Sequence, residues 1–297
     1  MKKRNHTVYL FLLPGVATLV VFLYYPVLSA VGISFNKWNG LGPMRYIGLE
    51  NYINLFMDKT FWHTFKLTFI WVFLSAVVLT IGGLILAILV EYTARTRFMS
   101  GVSRTILFMP MMMSLVAVGL LWSLILNPTM GLLNVVLVKL HLVDPMNPLS
   151  LLGNPKTALF AAFLPALWQW SGFGMVVFSA AIMNIPRELL EAAAVDGATG
   201  PAQFFRIIIP LLMPTIFTCV IFNLIGAFKA FDLIYTMTKG GPGDATMVTA
   251  VYIYIRAFVD FDFGYSTAMA VMLFVTAFIF TYALNKLNNK ISEHVAY

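Results

Sequence analysis

The residues best placed to do work in this 297-residue chain sit in one short polar stretch between two long apolar runs. The stretch reads Ile185-Pro186-Arg187-Glu188-Leu189-Leu190-Glu191-Ala192-Ala193-Ala194-Val195-Asp196-Gly197, with Gly200-Pro201 and Ile207-Ile208-Ile209-Pro210 beyond it. Pro186 suits a first helical position, Glu188 falls in the first turn where the helix dipole favours an anion, and Gly197 can take the left-handed conformation that stops a helix. The spacing predicts a helix of about three turns from Pro186 to Asp196. Gly200-Pro201 then predicts a turn that opens a second short helix leading into the fifth apolar run. Three consecutive alanines give a smooth, low-entropy surface that a partner's groove can approach closely, and Arg187 and Glu191 are spaced i, i+4. The chemistry on offer is docking, and the same pattern also fits an amphipathic helix lying on lipid headgroups.

Other chemistries lack their residues. Gly240-Gly241-Pro242-Gly243 has no Lys-Ser or Lys-Thr behind it and the phosphate-binding pattern G-x4-G-K-[ST] occurs nowhere, so the chain is not expected to bind ATP by itself. His6, His63, His141 and His294 are scattered without a second ligand at metal spacing, so neither a metal nor a cofactor is expected. Cys219 stands alone in an apolar run, which rules out an intrachain disulfide and predicts a small buried hydrophobe. Without a Ser/His/Asp arrangement or paired carboxylates at a common site, the chain is expected to be non-catalytic.

The elements that must position the polar stretch are long and apolar. The sequence is 60% hydrophobic and 10% charged, with a mean hydropathy of +0.87, against about 25% charged residues in soluble domains. Six segments hold no Asp, Glu, Lys or Arg and are long enough to cross a bilayer: 8–31, 67–90, 105–126, 158–185, 207–228 and 266–285. Backbone groups in lipid must be satisfied within the segment, so the expected fold is all-α, a polytopic bundle of six transmembrane helices. The first run follows Lys2-Lys3-Arg4 as a secretory signal would, yet its 24 residues exceed a signal core, and it is read as a retained span. With both termini cytoplasmic, the inner segments hold 10 of the 19 Lys and Arg in 56 residues and the outer ones hold 9 in 103. That bias supports the orientation, and clustering between apolar runs makes the net charge of +7 a topology signal rather than a nucleic-acid footprint. Pro14, Pro26, Gly82-Gly83, Pro110, Pro165, Pro210 and Pro214 interrupt the spans, as in a packed bundle whose neighbours take up freed backbone groups.

The polar stretch resembles a known family. Glu191-Ala192-Ala193, three residues, Gly197, nine residues, Ile207, one residue, Ile209 and Pro210 is similar to the EAA loop of permeases in binding-protein-dependent ABC importers, with Ile209 in place of the usual Leu. The resemblance extends along the chain through Leu12-Leu13-Pro14-Gly15, Ser34-Phe35-Asn36-Lys37-Trp38, Gly48-Leu49-Glu50-Asn51-Tyr52 and Gly240-Gly241-Pro242-Gly243-Asp244. These look like the first permease of a maltose-type carbohydrate importer. The resemblance implies an ABC importer type I permease fold, a single permease domain over 1–297 and a coupling loop at 186–201. It assigns contact with a separate ATPase dimer to Glu191, Ala192, Ala193, Asp196 and Gly197, with Ile207 and Pro210 completing the motif. It also implies a second homologous permease, an extracytoplasmic solute-binding protein, a sugar as cargo and a cell-membrane location. Aligned from the loop, Gln169, Trp170 and Phe173 on the fourth span and Asn223 on the fifth match the family's substrate-pathway positions.

These four are chemically suited, since aromatic faces stack on sugar rings and amides exchange hydrogen bonds with hydroxyls. A polar side chain inside a span faces the bundle or water, which favours Gln169 and Asn223; for Trp170 and Phe173 packing competes as an explanation. Lys229 and Asp232, one turn apart beyond the fifth span, read as a solvated ion pair. A secondary transporter or channel is the rival reading, but such proteins place charges within their spans and the six runs have none.

Overall fold

A computed structural model describes residues 6–93, 96–198 and 200–295. Lys2, Lys3, Arg4 and Arg95 of the charge pattern, and Thr199 of the loop, lie outside the described residues. Five helices are long and apolar enough to cross a membrane: α1 (Phe11–Ser34), α3 (Lys59–Tyr92), α7 (Ala158–Met183), α9 (Pro201–Phe228) and α12 (Phe263–Ile291). Shorter helices fall between them: α2 (Glu50–Met57), α4 (Arg97–Phe108), α5 (Leu115–Ile125), α6 (Leu132–Lys139), α8 (Arg187–Val195), α10 (Asp232–Thr238) and α11 (Thr249–Tyr254). Several helices outrun the charge-free segments, because hydrogen bonding continues past the last apolar residue into polar turns. The short helix expected after Gly200 opens at Pro201 and leads without a break into the rest of α9.

The third expected span, 105–126, is not one straight helix. α4 gives way to a 3-10 turn at Met109–Met112, and α5 leaves at 97° to α4. Pro110 has no N–H for the ladder, and Met113 and Ser114 are extended, with φ −78°, ψ 146° and φ −61°, ψ 136°. Taken as one broken span, the pair brings the total to six. Prolines leave a milder mark elsewhere. The π-helical turn Val20–Tyr24 lies just before Pro26, and Phe204–Ile208 just before Pro210. A proline cannot bond the carbonyl four residues back, and its ring crowds that turn open.

The chain forms two compact units, 1–62 with 252–275 and 63–251 with 276–297. In the first, α1 is exposed along the whole of its most apolar window, with Phe11 81% and Phe22 77% exposed. Strands β1 (Asn36–Lys37) and β2 (Arg45–Tyr46) pair antiparallel, and Asn51 donates from Nδ2 to the carbonyls of Ser34 and Asn36 at 2.8 and 3.0 Å, locking α2 to them. The second unit is a helix bundle centred on α7. There α3 and α7 meet at glycines: a Cβ added to Gly83 would lie 2.7 Å from Gly174 Cα. Ala87, Val90, Met175, Phe178 and Cys219 form a buried cluster beside this contact, so the lone cysteine is the buried hydrophobe expected. Close approach through small residues is how helices gain van der Waals contact when lipid offers no hydrophobic drive between them.

Replacing Gly83 by Val forces backbone apart where nothing flexible can yield, and is expected to cost about 1–3 kcal/mol. A lowered thermal unfolding midpoint of the detergent-purified protein, with Gly101→Val unchanged because nothing lies within 4 Å of that position, checks this.

Candidate functional site

The docking stretch folds as its residues dictate. α8 runs Arg187–Val195 with Glu188 in its first turn, and Asp196 follows as the capping residue. Gly197 has φ +83°, the left-handed conformation expected of it, and closes the helix through Gly197 N–H to Ala194 O (3.1 Å) and Ala198 N–H to Ala193 O (2.8 Å). Ala193 is the one buried residue of α8; Glu191, Ala192, Ala194, Asp196 and Gly197 are exposed, as is Val195 at 88%. One side of the helix is thus smooth and open, while Gln203 Nε2 donates to Leu190 O at 2.6 Å and ties α8 to the start of α9. Ile207 lies half-buried in the π-helical turn of α9 and Pro210 follows it, exposed. α8 is therefore joined by chain to α7 on one side, and by chain and a side-chain hydrogen bond to α9 on the other.

Those two helices wall a cavity of about 400 Å³. Trp170 from α7 and Phe222 and Asn223 from α9 face Trp71 and Ser75 of α3 across it, with Lys229 and Asp232 also lining it. Asn223 Nδ2 donates to Thr80 Oγ1 at 3.1 Å and keeps its carbonyl oxygen for other partners. Trp170 and Phe222 are tilted rings with centroids 6.4 Å apart, and Phe173 stacks on Phe222 at 4.6 Å without lining the cavity itself. The structure thus brings Trp170 and Asn223 into one wall and sets Phe173 behind it. Gln169 does not line the cavity: it is 1% exposed, and its Nε2 donates to Met113 O at 2.8 Å. The arrangement can hold a polar, ring-bearing molecule by stacking and amide hydrogen bonds. Among the described residues, no group of three His, Cys, Asp or Glu is placed to hold a metal ion.

A polar cluster in the first unit escaped sequence reasoning. Asp58 Oδ1 accepts from Thr60 N–H (2.8 Å), while Oδ2 accepts from Tyr252 OH (3.0 Å) and Tyr265 OH (2.7 Å). Arg256 pairs with Asp262 (2.9 Å) and Asp260 (3.1 Å) and lies over the Tyr265 ring at 5.2 Å. Asp58, Tyr252, Arg256, Asp262 and Tyr265, with Lys37 and Glu50, line a second, polar cavity of about 370 Å³. Burial alone would raise the Asp58 carboxyl, but the hydrogen bonds from Tyr265, Tyr252 and the backbone outweigh it and hold the group below its ordinary value. Burial and the neighbouring carboxylate push the Tyr252 phenol up to about 12. No local spacing could have linked Asp58 to partners 194 and 207 residues away; the only sequence signal was an Asp beside a helix start.

A bundle of long apolar helices in which an exposed helix, α8, lies in the chain between the two helices that wall a cavity fits the architecture of a membrane transport subunit. The comparisons with known proteins agree. The family model for the binding-protein-dependent transport system inner membrane component matches residues 81–293, and the chain belongs to that family. It is 35% identical to the probable ABC transporter permease protein YurN of Bacillus subtilis, covering 90% of both chains. It is 31% identical to the trehalose/maltose transport system permease protein MalF of Thermococcus litoralis, covering 92% of this chain and 90% of that one. Among solved structures it resembles a subunit of a bacterial alginate ABC transporter, crystallised with an alginate pentasaccharide-bound periplasmic protein. The TM-score is 0.84 at 25% identity, over 97% of this chain and 96% of that one.

Asp58 supplies an acid-dependent contribution to stability. Because its folded value lies below the unfolded one, that contribution is complete above roughly pH 4 and is lost as pH falls through the folded value. Asp58→Asn is expected to lower the unfolding midpoint at pH 7 and to flatten its decline between about pH 5 and 3, measured by thermal melts across that range.

Proposed function

We propose that this chain is one of two homologous permeases forming the translocation pathway of an ATP-driven carbohydrate importer, acting as a single permease domain without catalysis of its own. Both termini are cytoplasmic in this reading, which puts α8 on the ATPase side of the membrane. Glu191, Ala192, Ala193, Asp196 and Gly197 dock on an ATPase dimer that hydrolyses the nucleotide, with Ile207 and Pro210 carrying the loop into α9. An extracytoplasmic solute-binding protein delivers a sugar to the cavity, where Trp170 stacks on it, Asn223 bonds its hydroxyls and Phe173 backs the wall through Phe222. The relatives named for trehalose, maltose and alginate support a carbohydrate as cargo.

The observation that carries this reading is the geometry of α8. An exposed, alanine-faced helix ended by Gly197 at φ +83° is tied through Gln203 to α9, the helix that bears Asn223. Closure of the ATPases on α8 moves it as a rigid body, and α7 and α9 follow through the short chain links and the Gln203 bond. Cavity shape, and hence cargo affinity, then differs between the two states.

Uptake of radiolabelled trehalose or maltose into vesicles is expected only when permeases, ATPase and binding protein are all present; uptake without any ATPase would defeat the reading. Gly197→Pro demands φ near −65° where the chain has +83°. It is expected to cut ATP-driven uptake at least tenfold while ATP hydrolysis persists and the ATPase still co-purifies. Full uptake in that variant would count against the docking role.

A further inference from the structure

The elbow between α4 and α5 leaves backbone groups without helical partners, and α7 touches both arms and the bend. Gly172 packs on the α4 arm, where an added Cβ would collide with the carbonyl oxygen of Leu107. Trp168 meets Trp122 of the α5 arm with ring centroids 6.2 Å apart. Between these two contacts Gln169, 1% exposed, donates from Nε2 to Met113 O at 2.8 Å, at the bend itself. Met113 N–H bonds Pro110 O at 3.1 Å, so both polar backbone groups of that residue are spoken for, one of them by a side chain 56 residues away. Gln169 Oε1, buried, has no hydrogen-bond partner among the described residues. The amide spends its donor on the elbow and faces no cavity, and Trp170, the next residue, is the one that lines the wall.

We infer that Gln169 is a positioning residue, the pin that holds the α4–α5 elbow at its angle against α7, and that it acts on transport through Met113 rather than by touching cargo. Two physical facts carry this. A carbonyl freed inside a membrane must be satisfied by protein, and here one side chain does so. An amide can donate to that oxygen only through its nitrogen, so the contact is directional and a residue without a donor cannot replace it. The inference rests on the transport reading for its consequence, while the pin itself is defined by geometry alone.

The test uses the importer assembled with its partner permease and ATPase in lipid nanodiscs, spin-labelled at Phe98→Cys on α4 and Leu124→Cys on α5, positions 79% and 70% exposed. Electron–electron distance measurements should give one narrow distribution with Gln169 intact. Gln169→Met, similar in length but without a donor, should broaden it and cut trehalose uptake at least tenfold in Vmax with KM within twofold. Gln169→Glu, whose buried carboxyl is protonated and can donate, should restore the narrow distribution and at least half of the Vmax. If Gln169→Met does not assemble, Gln169→Asn, too short by one methylene to reach Met113, should show the same broadening. An unchanged distribution in the donor-less or shortened variants overturns the pin. So does a tenfold rise in KM at retained Vmax, the mark of a cargo ligand, or failure of the Glu variant to restore. If trehalose and maltose are not taken up even with Gln169 intact, the carbohydrate reading fails and the distance measurement alone decides the role of Gln169.

Discussion

In hydrocarbon a backbone N–H or C=O has no water to fall back on, and much of this structure is organised by where those groups go. Uninterrupted helices answer the demand from within, as along most of α3, α7 and α12. Each proline raises it again. Before Pro26 and Pro210 the ladder widens into a π-helical turn and continues; after Pro110 the helix turns through 97° and the carbonyl of Met113 takes its donor from Gln169. The difference is one of neighbourhood. α7 lies against the α4–α5 break and can offer a side chain, so the chain can afford a sharp bend there.

Close packing supplies the second requirement. Glycines on α7 meet Gly83 of α3 on one side and the Leu107 carbonyl of α4 on another, and these approaches make α7 the axis of its unit. Residues 184–186 separate the end of the same helix from the start of α8, and Gln203 ties α8 to α9 on its other side. The cavity between α7 and α9 is completed by α3, by Leu115 of α5 and by Asp232 and Leu233 of α10, so several packed elements set its shape.

Much of this was legible in the residues. Charge-free runs marked the spans because hydrocarbon excludes charge regardless of tertiary detail, and Gly197 marked the end of α8 because only glycine adopts its φ cheaply. Pro110 hinted at an interruption in the third run but could not show its size, since the bend depends on α7 packing beside it. Gln169 was singled out for being polar within a span, which is sound, but its partner proved to be a main-chain oxygen rather than open space. The Asp58, Tyr252 and Tyr265 cluster was invisible because its members are brought together only by the folded path of the chain.

The first helix shows what freedom looks like under the same rules. α1 buries none of its most apolar window within its own chain. Within its own chain no knob fits a hole there, so the fold of this chain asks of those side chains only oiliness and the right number of turns. Which residues such a segment can carry is then set by what surrounds it rather than by the core of its own unit.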